Sequence, residues 1–434
     1  MIPVRWEEIE ELDLGRLERP HASASESASI TGIKADSRVV GLGDLFVALN
    51  TGVEHVADAA ARGAATLVPE DQEAALAALA ALVRSRSDAR VVAVVGSTGK
   101  TSTKDILGAL CSAQTPTIWA EASQNNEIGL PLTVCRLEPE TRVLVTEMGM
   151  RGLGQIASLC DIARPDLVVV SSIGPEHLEL VGTVERVAEA NAEAIVGLPP
   201  GGIAVVPADS PELEPHLGRT DIEIRRFDRA HVEGVDNAWR FTVGGRDVSL
   251  RLPFTARHMA ENTLAALLAY DALGLSLDRA QEGADAIRLS RWRGEETPLT
   301  GGGLVINDAY NANPTSVRAA LLDLTQRAGS RRRVAILGEM AELGDASPRY
   351  HEDVGRLVDE LGIEVVIAVG GAAAAYVGDL ERPGRLLVRD VEALGDALAV
   401  LAPGDAILIK ASRSVGLEGI PASIEKRSRA WSES

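Results

Sequence analysis

The stretch that decides the fold reads Val-Val-Ala-Val-Val-Gly-Ser-Thr-Gly-Lys-Thr-Ser-Thr-Lys and spans residues 91–104. Four of its first five residues are valine, and an apolar run of this kind is typical of a buried strand. Gly96 and Gly99 then open a tight turn, and apolar residues repeat with helical spacing over residues 101–113. Strand, glycine turn, Lys-Thr and helix in this order predict a loop that binds phosphate.

The chemistry of such a loop depends on backbone N–H groups and a helix N-terminus that face the anion. Lys100 would add a mobile positive charge, and the Thr101 hydroxyl could bind Mg²⁺. The loop departs from the strict G-x-x-x-x-G-K-S/T pattern, because Val94 stands where the first glycine belongs. A glycine turn that binds nothing is the alternative, but the Lys-Thr pair favours nucleotide binding. The residues expected at the phosphates are Gly96, Ser97, Thr98, Gly99, Lys100, Thr101 and Ser102.

Composition sets the broad class of the protein. A chain of 434 residues with 46% hydrophobic and 24% charged residues is expected to form two or three globular domains. The net charge of −20 argues against binding to nucleic acid or to anionic membranes. Three cysteines without metal-ligand spacing predict buried, reduced thiols. With no signal peptide and no long apolar run, we expect a soluble cytoplasmic protein.

The order of predicted elements indicates an α/β protein with three domains. Residues 1–88 predict a small α/β domain, and residues 89–297 a central nucleotide-binding domain with a parallel sheet. Residues 298–434 alternate strand and helix, which predicts a doubly wound, Rossmann-like domain. Within these domains, residues 222–254 predict an antiparallel hairpin, and residues 391–401 predict a helix.

Two further residues follow predicted strands of the central domain, where α/β sheets place ligands. Glu147 ends a strand over 142–146 and could bind Mg²⁺ or orient a water; a surface glutamate is the alternative. His177 follows the next strand and could bind a metal, or it could be an ordinary solvated histidine. Its neighbours Glu176 and Glu179 are interpreted as surface groups.

Amide and charged residues mark three other turns. Asn125 and Asn126 could clasp a sugar or a peptide, although turns favour asparagine for conformational reasons too. Asp308 and Asn311 follow a predicted strand and suit ribose and adenine, or could cap the next helix. Residues 410–413 end the last strand, either at a ligand or as a salt-bridged strand end.

In this order, the segments resemble the Mur ligase family over nearly all of the chain, and within it the MurF type most. The motifs that carry the resemblance are Asp36-Ser37-Arg38, Gly43-Asp-Leu-Phe46, Gly96-Ser-Thr-Gly-Lys-Thr-Ser-Thr-Lys104, Asn125-Asn-Glu-Ile-Gly129, Glu147-Met-Gly149, His177-Leu-Glu179, Asp308-Ala-Tyr-Asn-Ala-Asn-Pro314, Gly338-Glu-Met-Ala-Glu-Leu-Gly344 and Lys410-Ala-Ser-Arg413.

The resemblance implies an ATP- and Mg²⁺-dependent ligase that forms an acyl phosphate from a carboxylate and joins it to an amine. For the MurF type, these substrates are UDP-N-acetylmuramoyl-tripeptide and D-alanyl-D-alanine, in peptidoglycan precursor synthesis. A cytoplasmic monomer that acts on small molecules is implied as well, with residues 1–88 as the substrate domain and residues 89–297 as the ATP-binding domain.

The resemblance also implies roles for individual residues. Catalysis would depend on Lys100, Glu147 and His177, and magnesium would be held by Thr101, Glu147 and His177. Besides the phosphate loop, the residues implied at the nucleotide are Asn262, Arg293, Asp308 and Asn311. The residues implied at the carboxylate and amine substrates are Asp36, Ser37, Arg38, Asn125, Asn126, Lys410, Ser412 and Arg413.

The sequence departs from the family pattern at two places. Many Mur ligases hold a second Mg²⁺ with a lysine carbamate, but Asn191 stands at that position here. A water or Glu193 then takes its place, or the second metal binds weakly, or the substrate carboxylate is handled differently. In the first domain, residues 52–58 replace the usual Asp-Gly-His-x-Phe segment, which leaves the first substrate open.

Three other functions fit parts of the sequence. A Mur-ligase-like paralogue could join a different carboxylate and amine, and both departures fall where such a protein would differ. A regulator that binds a nucleotide without catalysis is another possibility. The joint presence of Lys100, Thr101, Glu147 and His177 argues against it. A P-loop kinase would not need a third domain.

Overall fold

The structure is a computed structural model, and it describes residues 1–19, 29–235 and 237–431. The chain divides into two compact units. The first consists of Met1–Ser171, Glu189–Thr255 and Ala260–Arg288. The second consists of Ser172–Ala188, Ala256–Met259 and Leu289–Ser434. The predicted domain boundaries at 88/89 and 297/298 stay predictions.

The N-terminal part of the first unit contains two small sheets. Its strands are β1 (Val4–Arg5), β2 (Gly15–Glu18), β3 (Ser29–Ile30), β4 (Gly32–Lys34), β5 (Asp44–Val47) and β6 (Ala65–Pro69). β1 pairs with β3, and the other four form a sheet in the order β2-β6-β5-β4. Its helices are α1 (Trp6–Glu10), α2 (Val56–Ala61) and α3 (Gln72–Arg84). α3 begins where the Asp71 carboxylate accepts hydrogen bonds from two backbone N–H groups of the first turn, both at 3.0 Å.

The central sheet of the first unit has six parallel strands. They are β7 (Arg90–Val95), β8 (Thr117–Trp119), β9 (Val143–Glu147), β10 (Leu167–Val170), β11 (Ile203–Pro207) and β12 (Glu223–Phe227). Their order is β12-β11-β10-β7-β9-β8, and every neighbouring pair is parallel. Valine fills β7 because both faces of the sheet are covered, and residues 91–95 are fully buried.

The helices of this region lie among or after these strands in the chain. The helices are α4 (Lys100–Ser112), α5 (Gly129–Val134), α6 (Gln155–Ala163), α7 (Leu178–Val181), α8 (Val184–Val196), α9 (Arg257–Ala272) and α10 (Ala280–Asp285). The three cysteines are free and buried, as the sequence predicts, and burial raises the pKa of Cys111 to about 12.

The prediction of a single hairpin over 222–254 was partly wrong. Its first segment, β12, joins the central parallel sheet. The rest forms an antiparallel sheet of β13 (Val232–Val235), β14 (Ala238–Val243) and β15 (Arg246–Arg251). β14 and β15 do form a hairpin, turning at Gly244 and Gly245. Both glycines have positive φ, at 57° and 78°, which the two-residue turn requires.

The sheet of the second unit also has six strands. They are β16 (Glu295–Pro298), β17 (Leu304–Asn307), β18 (Arg333–Gly338), β19 (Val365–Val369), β20 (Arg385–Val388) and β21 (Ala406–Lys410). Their order is β16-β17-β21-β18-β19-β20, and only the edge strand β16 is antiparallel among these strands. The predicted alternation of strand and helix is therefore confirmed.

The helices of this sheet are α11 (Pro314–Ala328), α12 (Ser347–Glu360), α13 (Leu394–Ala397) and α14 (Ile420–Ala430). The helix predicted over 391–401 is shorter than expected. It consists of the four residues of α13 and a 3₁₀ turn over Leu398–Val400. Leu394, Leu398 and Leu401 still pack into the core, and this apolar spacing is what the helix prediction relied on.

Parallel strands end at a common edge, and that edge carries the candidate residues. In the first unit, the loop after β7 and the residue Glu147 at the end of β9 share one edge. In the second unit, β17, β18 and β21 end beside one another. No helix within the described ranges is long and apolar enough to cross a membrane.

Candidate active site

The phosphate loop joins β7 to α4 through two left-handed glycines. Gly96 has φ 120° and Gly99 has φ 88°, and α4 begins at Lys100 directly after the second. A Cβ on Gly99 would lie 2.5 Å from Oδ1 of Asn262, so only glycine fits against that amide. Asn262 was implied by the family resemblance alone, and the structure does place it against the loop.

Lys100 lies beside the loop that it follows. Its Nζ donates hydrogen bonds to the Gly96 carbonyl and to the Ser97 carbonyl, the latter at 3.3 Å. Backbone carbonyls are weaker partners for an ammonium group than phosphate oxygens. A nucleotide phosphate could therefore draw the amine away from the loop without leaving it unpaired.

Glu147 is the buried carboxylate of this edge. Its side chain is 1% exposed, and Oε1 accepts a hydrogen bond of 2.8 Å from Nδ2 of Asn125. Oε2 is buried and has no hydrogen-bond partner among the described residues. A buried carboxylate oxygen without a partner is costly, and a cation would remove that cost. Asn125, predicted to contact substrate, here orients Glu147.

The donor set fits Mg²⁺ better than a metal held by many side chains. Thr101 is 1% exposed and lies in the first turn of α4, in the same unit as Glu147. Among the described residues, no group of three or more His, Cys, Asp or Glu side chains could hold a metal. Mg²⁺ commonly takes one or two protein ligands and completes its shell with water and phosphate oxygens. The buried, unpartnered oxygen of Glu147 satisfies that requirement.

Lys104 was missed as a functional residue. It is fully buried, and its Nζ donates to the carbonyls of Ala120 and Ala122 at 2.6 and 3.0 Å. It also pairs with Asp105 at 2.6 Å. Lys104 therefore fixes the segment that leads to Asn125. The signal in the sequence was weak, since nothing in a single lysine on a helix indicates the backbone carbonyls that it will meet.

His177 lies in the second unit, directly before α7. It has φ 51°, which is uncommon for a residue other than glycine, and its side chain is 21% exposed. Nδ1 contacts the carboxylate of Glu342, a residue that follows β18. Glu176, interpreted as a surface group, is instead buried at 6% exposure.

Buried Lys410 pairs with half-buried Asp308 at the ends of two neighbouring strands. Lys410 is 3% exposed, and its Nζ lies 2.5 Å from Oδ2 of Asp308. The same nitrogen donates to the Asn311 carbonyl at 3.0 Å. Burial lowers the pKa of Lys410, and the Asp308 carboxylate opposes that shift. Lys410 was predicted on the amine-substrate side, and the structure gives it a role in holding the 308–311 loop.

Two arginines of the second unit lie on aromatic rings. The Arg293 guanidinium is 3.9 Å from the centroid of the Tyr310 ring, and that of Arg413 is 4.3 Å from the centroid of the Trp292 ring. Arg413 also pairs with Glu418 at 2.9 Å. The two aromatic residues were missed, because nothing in a lone tyrosine or tryptophan announces an arginine partner.

A cavity of about 930 Å³ lies in the N-terminal part of the first unit. Asp36 and Arg38 on its wall pair at 2.8 Å, and hydrogen bonds from Arg38 lower the pKa of Asp36 to about 2. The lining residues include Asp36, Ser37, Arg38, Phe46, His55 and Arg62. The predicted substrate residues 36–38 are thus brought together with the segment 52–58, whose sequence departs from the family pattern.

Known proteins match nearly the whole chain. Residues 94–270 match the Mur ligase middle domain, and residues 292–413 match the domain described as Mur ligase, glutamate ligase domain. A UDP-N-acetylmuramoyl-tripeptide–D-alanyl-D-alanine ligase of Synechocystis is 32% identical over 425 residues, which cover 91% of this chain and 92% of that protein. The chain belongs to the Mur ligase family, in its MurF group.

Solved structures of the MurF group show the same fold. The crystal structure of MurF from Acinetobacter baumannii superimposes with a TM-score of 0.85 at 28% identity and covers 98% of this chain and 99% of that one. The MurF ligase of Thermotoga maritima, solved in complex with ADP, has a TM-score of 0.78 at 26% identity and covers 92% of this chain and 98% of that one. The predicted three-domain α/β fold is confirmed.

Asn191 is the residue at which this Mur ligase departs from the family's lysine. It is 1% exposed on α8, and its Oδ1 accepts a hydrogen bond of 2.7 Å from the Gly96 N–H. Glu193 is committed elsewhere, since its two oxygens accept from the N–H groups of Gly154 and Ala157 at 2.6 and 3.0 Å. Of the replacements considered for the lysine, Glu193 is therefore the poorest, and Asn191 holds the phosphate loop.

Replacing Asn191 with alanine is expected to weaken ADP binding by about tenfold, the effect of one buried hydrogen bond. Calorimetric titration with ADP measures it. Asn191→Asp keeps an acceptor for Gly96 but adds a charge that repels phosphate, so it should bind ADP more weakly than the alanine variant. Asn191→Lys, assayed with and without bicarbonate, tests the carbamate directly. An ADP affinity equal to that of the wild type in all three variants would contradict the role of Asn191 in holding the phosphate loop.

Proposed function

We propose that this Mur ligase joins UDP-N-acetylmuramoyl-tripeptide to D-alanyl-D-alanine, with conversion of ATP to ADP and phosphate. The observation that carries the proposal is one sheet edge in the first unit. It presents a phosphate loop ending in Lys100 and a buried carboxylate, Glu147, with one unpartnered oxygen. A metal ligand beside the phosphates is what phosphoryl transfer requires. The substrates are those in the names of the relatives.

The reaction proceeds in two balanced steps. A carboxylate oxygen of the tripeptide attacks the γ-phosphorus of ATP, the bond to the β,γ-bridging oxygen breaks, and ADP leaves. The amine of the dipeptide then attacks the acyl carbon of the acyl phosphate. The acyl carbon–oxygen bond breaks, the nitrogen loses a proton, and inorganic phosphate leaves with an oxygen of the original carboxylate.

Charge is the main obstacle to the first step, because a carboxylate must approach a triphosphate. Lys100 would move from the loop carbonyls to the phosphates and stabilise the charge on the transferred group. Thr101 and Glu147 would hold one Mg²⁺ and His177 a second, and the ions would neutralise phosphate oxygens. Asn125 keeps the Glu147 carboxylate oriented, and Asn191 keeps the loop in its conformation.

The second unit would supply the remaining nucleotide contacts. Asp308 and Asn311 would bind ribose and adenine. Both belong to the loop that Lys410 holds through its hydrogen bonds. Arg293, lying on the Tyr310 ring, would add a positive charge. Ser412 and Arg413 would bind the amine substrate, whose free carboxylate suits a guanidinium group.

The cavity lined by residues 36–38 would take the UDP-sugar part of the first substrate. Arg38 and Arg62 on its wall can meet a diphosphate. We further propose that the enzyme works in the cytoplasm, where ATP is available, and as a monomer.

Phosphate release from ATP tests the proposal. Release is expected only when UDP-N-acetylmuramoyl-tripeptide and D-alanyl-D-alanine are both present with Mg²⁺. Each substrate alone, and the pair without ATP, serve as controls. Release with another carboxylate and amine, and none with this pair, would identify a paralogue with a different specificity. Nucleotide binding without turnover of any pair would contradict the ligase function.

A further inference from the structure

The segment Gly338–Gly344 is a motif of the sequence to which the proposed function gives no role. It follows β18, at the edge of the sheet where ligands are bound. The Glu342 carboxylate contacts Nδ1 of His177, which lies 165 residues earlier in the chain and in the same compact unit. The motif therefore reaches one of the residues proposed to hold the metal.

The backbone at both ends of this contact is unusual. His177 has φ 51° and Glu342 has φ 61°, and left-handed conformations are uncommon for residues other than glycine. Such conformations persist where surrounding contacts impose them, and they cluster at functional sites. Here the Glu342 carbonyl also accepts a hydrogen bond of 3.1 Å from the N–H of Glu179. Glu342 thus holds the 177–179 segment both with its side chain and with its backbone carbonyl.

The loop that presents Glu342 is itself fixed from two sides. Ser412 donates its N–H to the Glu339 carbonyl at 3.0 Å and accepts the Ala341 N–H on its hydroxyl at 2.8 Å. His351, which is fully buried, accepts the Met340 N–H on Nε2 at 3.1 Å. The carboxylate of Glu342 is therefore held in place before any ligand binds.

The contact also decides which nitrogen of His177 carries hydrogen. A carboxylate only accepts hydrogen bonds, so Nδ1 must be the donor. In the neutral ring, Nε2 is then the nitrogen with a free lone pair, and it lies on the far side of the ring from Glu342. Carboxylates that accept the second N–H of a histidine ligand fix both the tautomer and the ring orientation.

We propose that Glu342 is a positioning residue, which holds His177 in the Nδ1–H tautomer so that Nε2 is presented to the divalent cation proposed for this histidine. This inference rests on the proposed role of His177 in the ligase. It assigns a role to the Gly338–Gly344 motif, since Glu342 acts through His177 and does not touch the reacting groups.

The tautomer tests the proposal without any ligand. The full chain would be labelled with ¹⁵N-histidine and its ring nitrogens observed by NMR, with His177→Asn identifying the signals among the seven histidines. The wild type should show Nδ1–H at His177. Glu342→Ala should shift the ring to a mixture in which Nε2–H dominates. Glu342→Gln keeps an acceptor oxygen and should retain mostly Nδ1–H.

Binding of Mn²⁺ in the presence of ADP, followed by electron paramagnetic resonance, gives the second measurement. Glu342→Ala should weaken it by about 10- to 100-fold, and Glu342→Gln by less. Glu352→Ala, an exposed residue of α12, is the matched control and should leave both measurements unchanged. An unchanged tautomer and unchanged Mn²⁺ affinity in both Glu342 variants would overturn the proposal.

The result separates this inference from the function on which it rests. If the wild type releases no phosphate with its substrates but the tautomer responds to Glu342, the proposed function fails and the positioning of His177 stands. If the wild type is an active ligase and the His177 tautomer is unchanged in the Glu342 variants, the positioning role fails and the function stands.

Discussion

Lys100→Ala is expected to abolish phosphate release with both substrates present, with a loss of about 10³-fold or more in kcat. The side chain is the cation of the phosphate loop in the first unit, and its amine donates hydrogen bonds to the Gly96 and Ser97 carbonyls there. Without it, the charge that builds up on the transferred phosphoryl group lacks its main neutralising partner from the loop. Phosphate release under saturating substrates measures the effect.

The fold should survive this change, because Lys100 is half-buried at the start of α4 and alanine is a good helix former. Lys426→Ala removes an exposed lysine from α14 and is the control, with activity expected to equal that of the wild type. Activity of Lys100→Ala within tenfold of the wild type would refute the assignment of the phosphate loop.

Glu147→Gln is the second change with a large expected effect, and activity and stability should respond in opposite directions. Glutamine keeps the shape and the contact with Asn125, but it cannot give Mg²⁺ a charged ligand. We expect kcat to fall by about 10²- to 10³-fold. Without metal, the variant should melt at or above the temperature of the wild type, because a buried charge with an unpartnered oxygen has been removed.

Activity as a function of Mg²⁺ concentration and thermal unfolding in EDTA are the two measurements. Glu140→Gln, an exposed glutamate before β9, is the matched control and should change neither. A variant at position 147 that keeps full activity at low Mg²⁺ would remove Glu147 from the metal site. One that unfolds far below the wild type in EDTA would show that the carboxylate is structurally paired.

Much of the fold was predictable, because apolar patterning and turn chemistry are local. The valine run of β7, the glycines at 96 and 99 and the alternation after residue 298 each determine their element over a short window. The failures have physical reasons as well. Residues 222–254 alternate throughout, but alternation does not say which sheet a strand joins. The apolar spacing over 391–401 suits a helix and equally a short helix followed by a 3₁₀ turn.

The site was predictable as a set of residue types and less so as a set of contacts. Glu147 and Asp308 could be selected because both follow strands. Their partners Asn125 and Lys410 lie in other segments, and only the order of strands in each sheet brings them together. Asn191 is the clearest case. An amide at that position left several chemistries open, and the 2.7 Å hydrogen bond to Gly96 gives Asn191 a role that none of them included, which is to hold the phosphate loop.

The proposed reaction requires that a carboxylate is activated by phosphorylation before the amide bond forms. The most direct measurement uses UDP-N-acetylmuramoyl-tripeptide with ¹⁸O in its terminal carboxylate, incubated with D-alanyl-D-alanine, ATP and Mg²⁺. Mass spectrometry should find one ¹⁸O atom in the released phosphate and the other in the new amide carbonyl. Phosphate without ¹⁸O, released together with ADP while no amide product forms, would contradict the account.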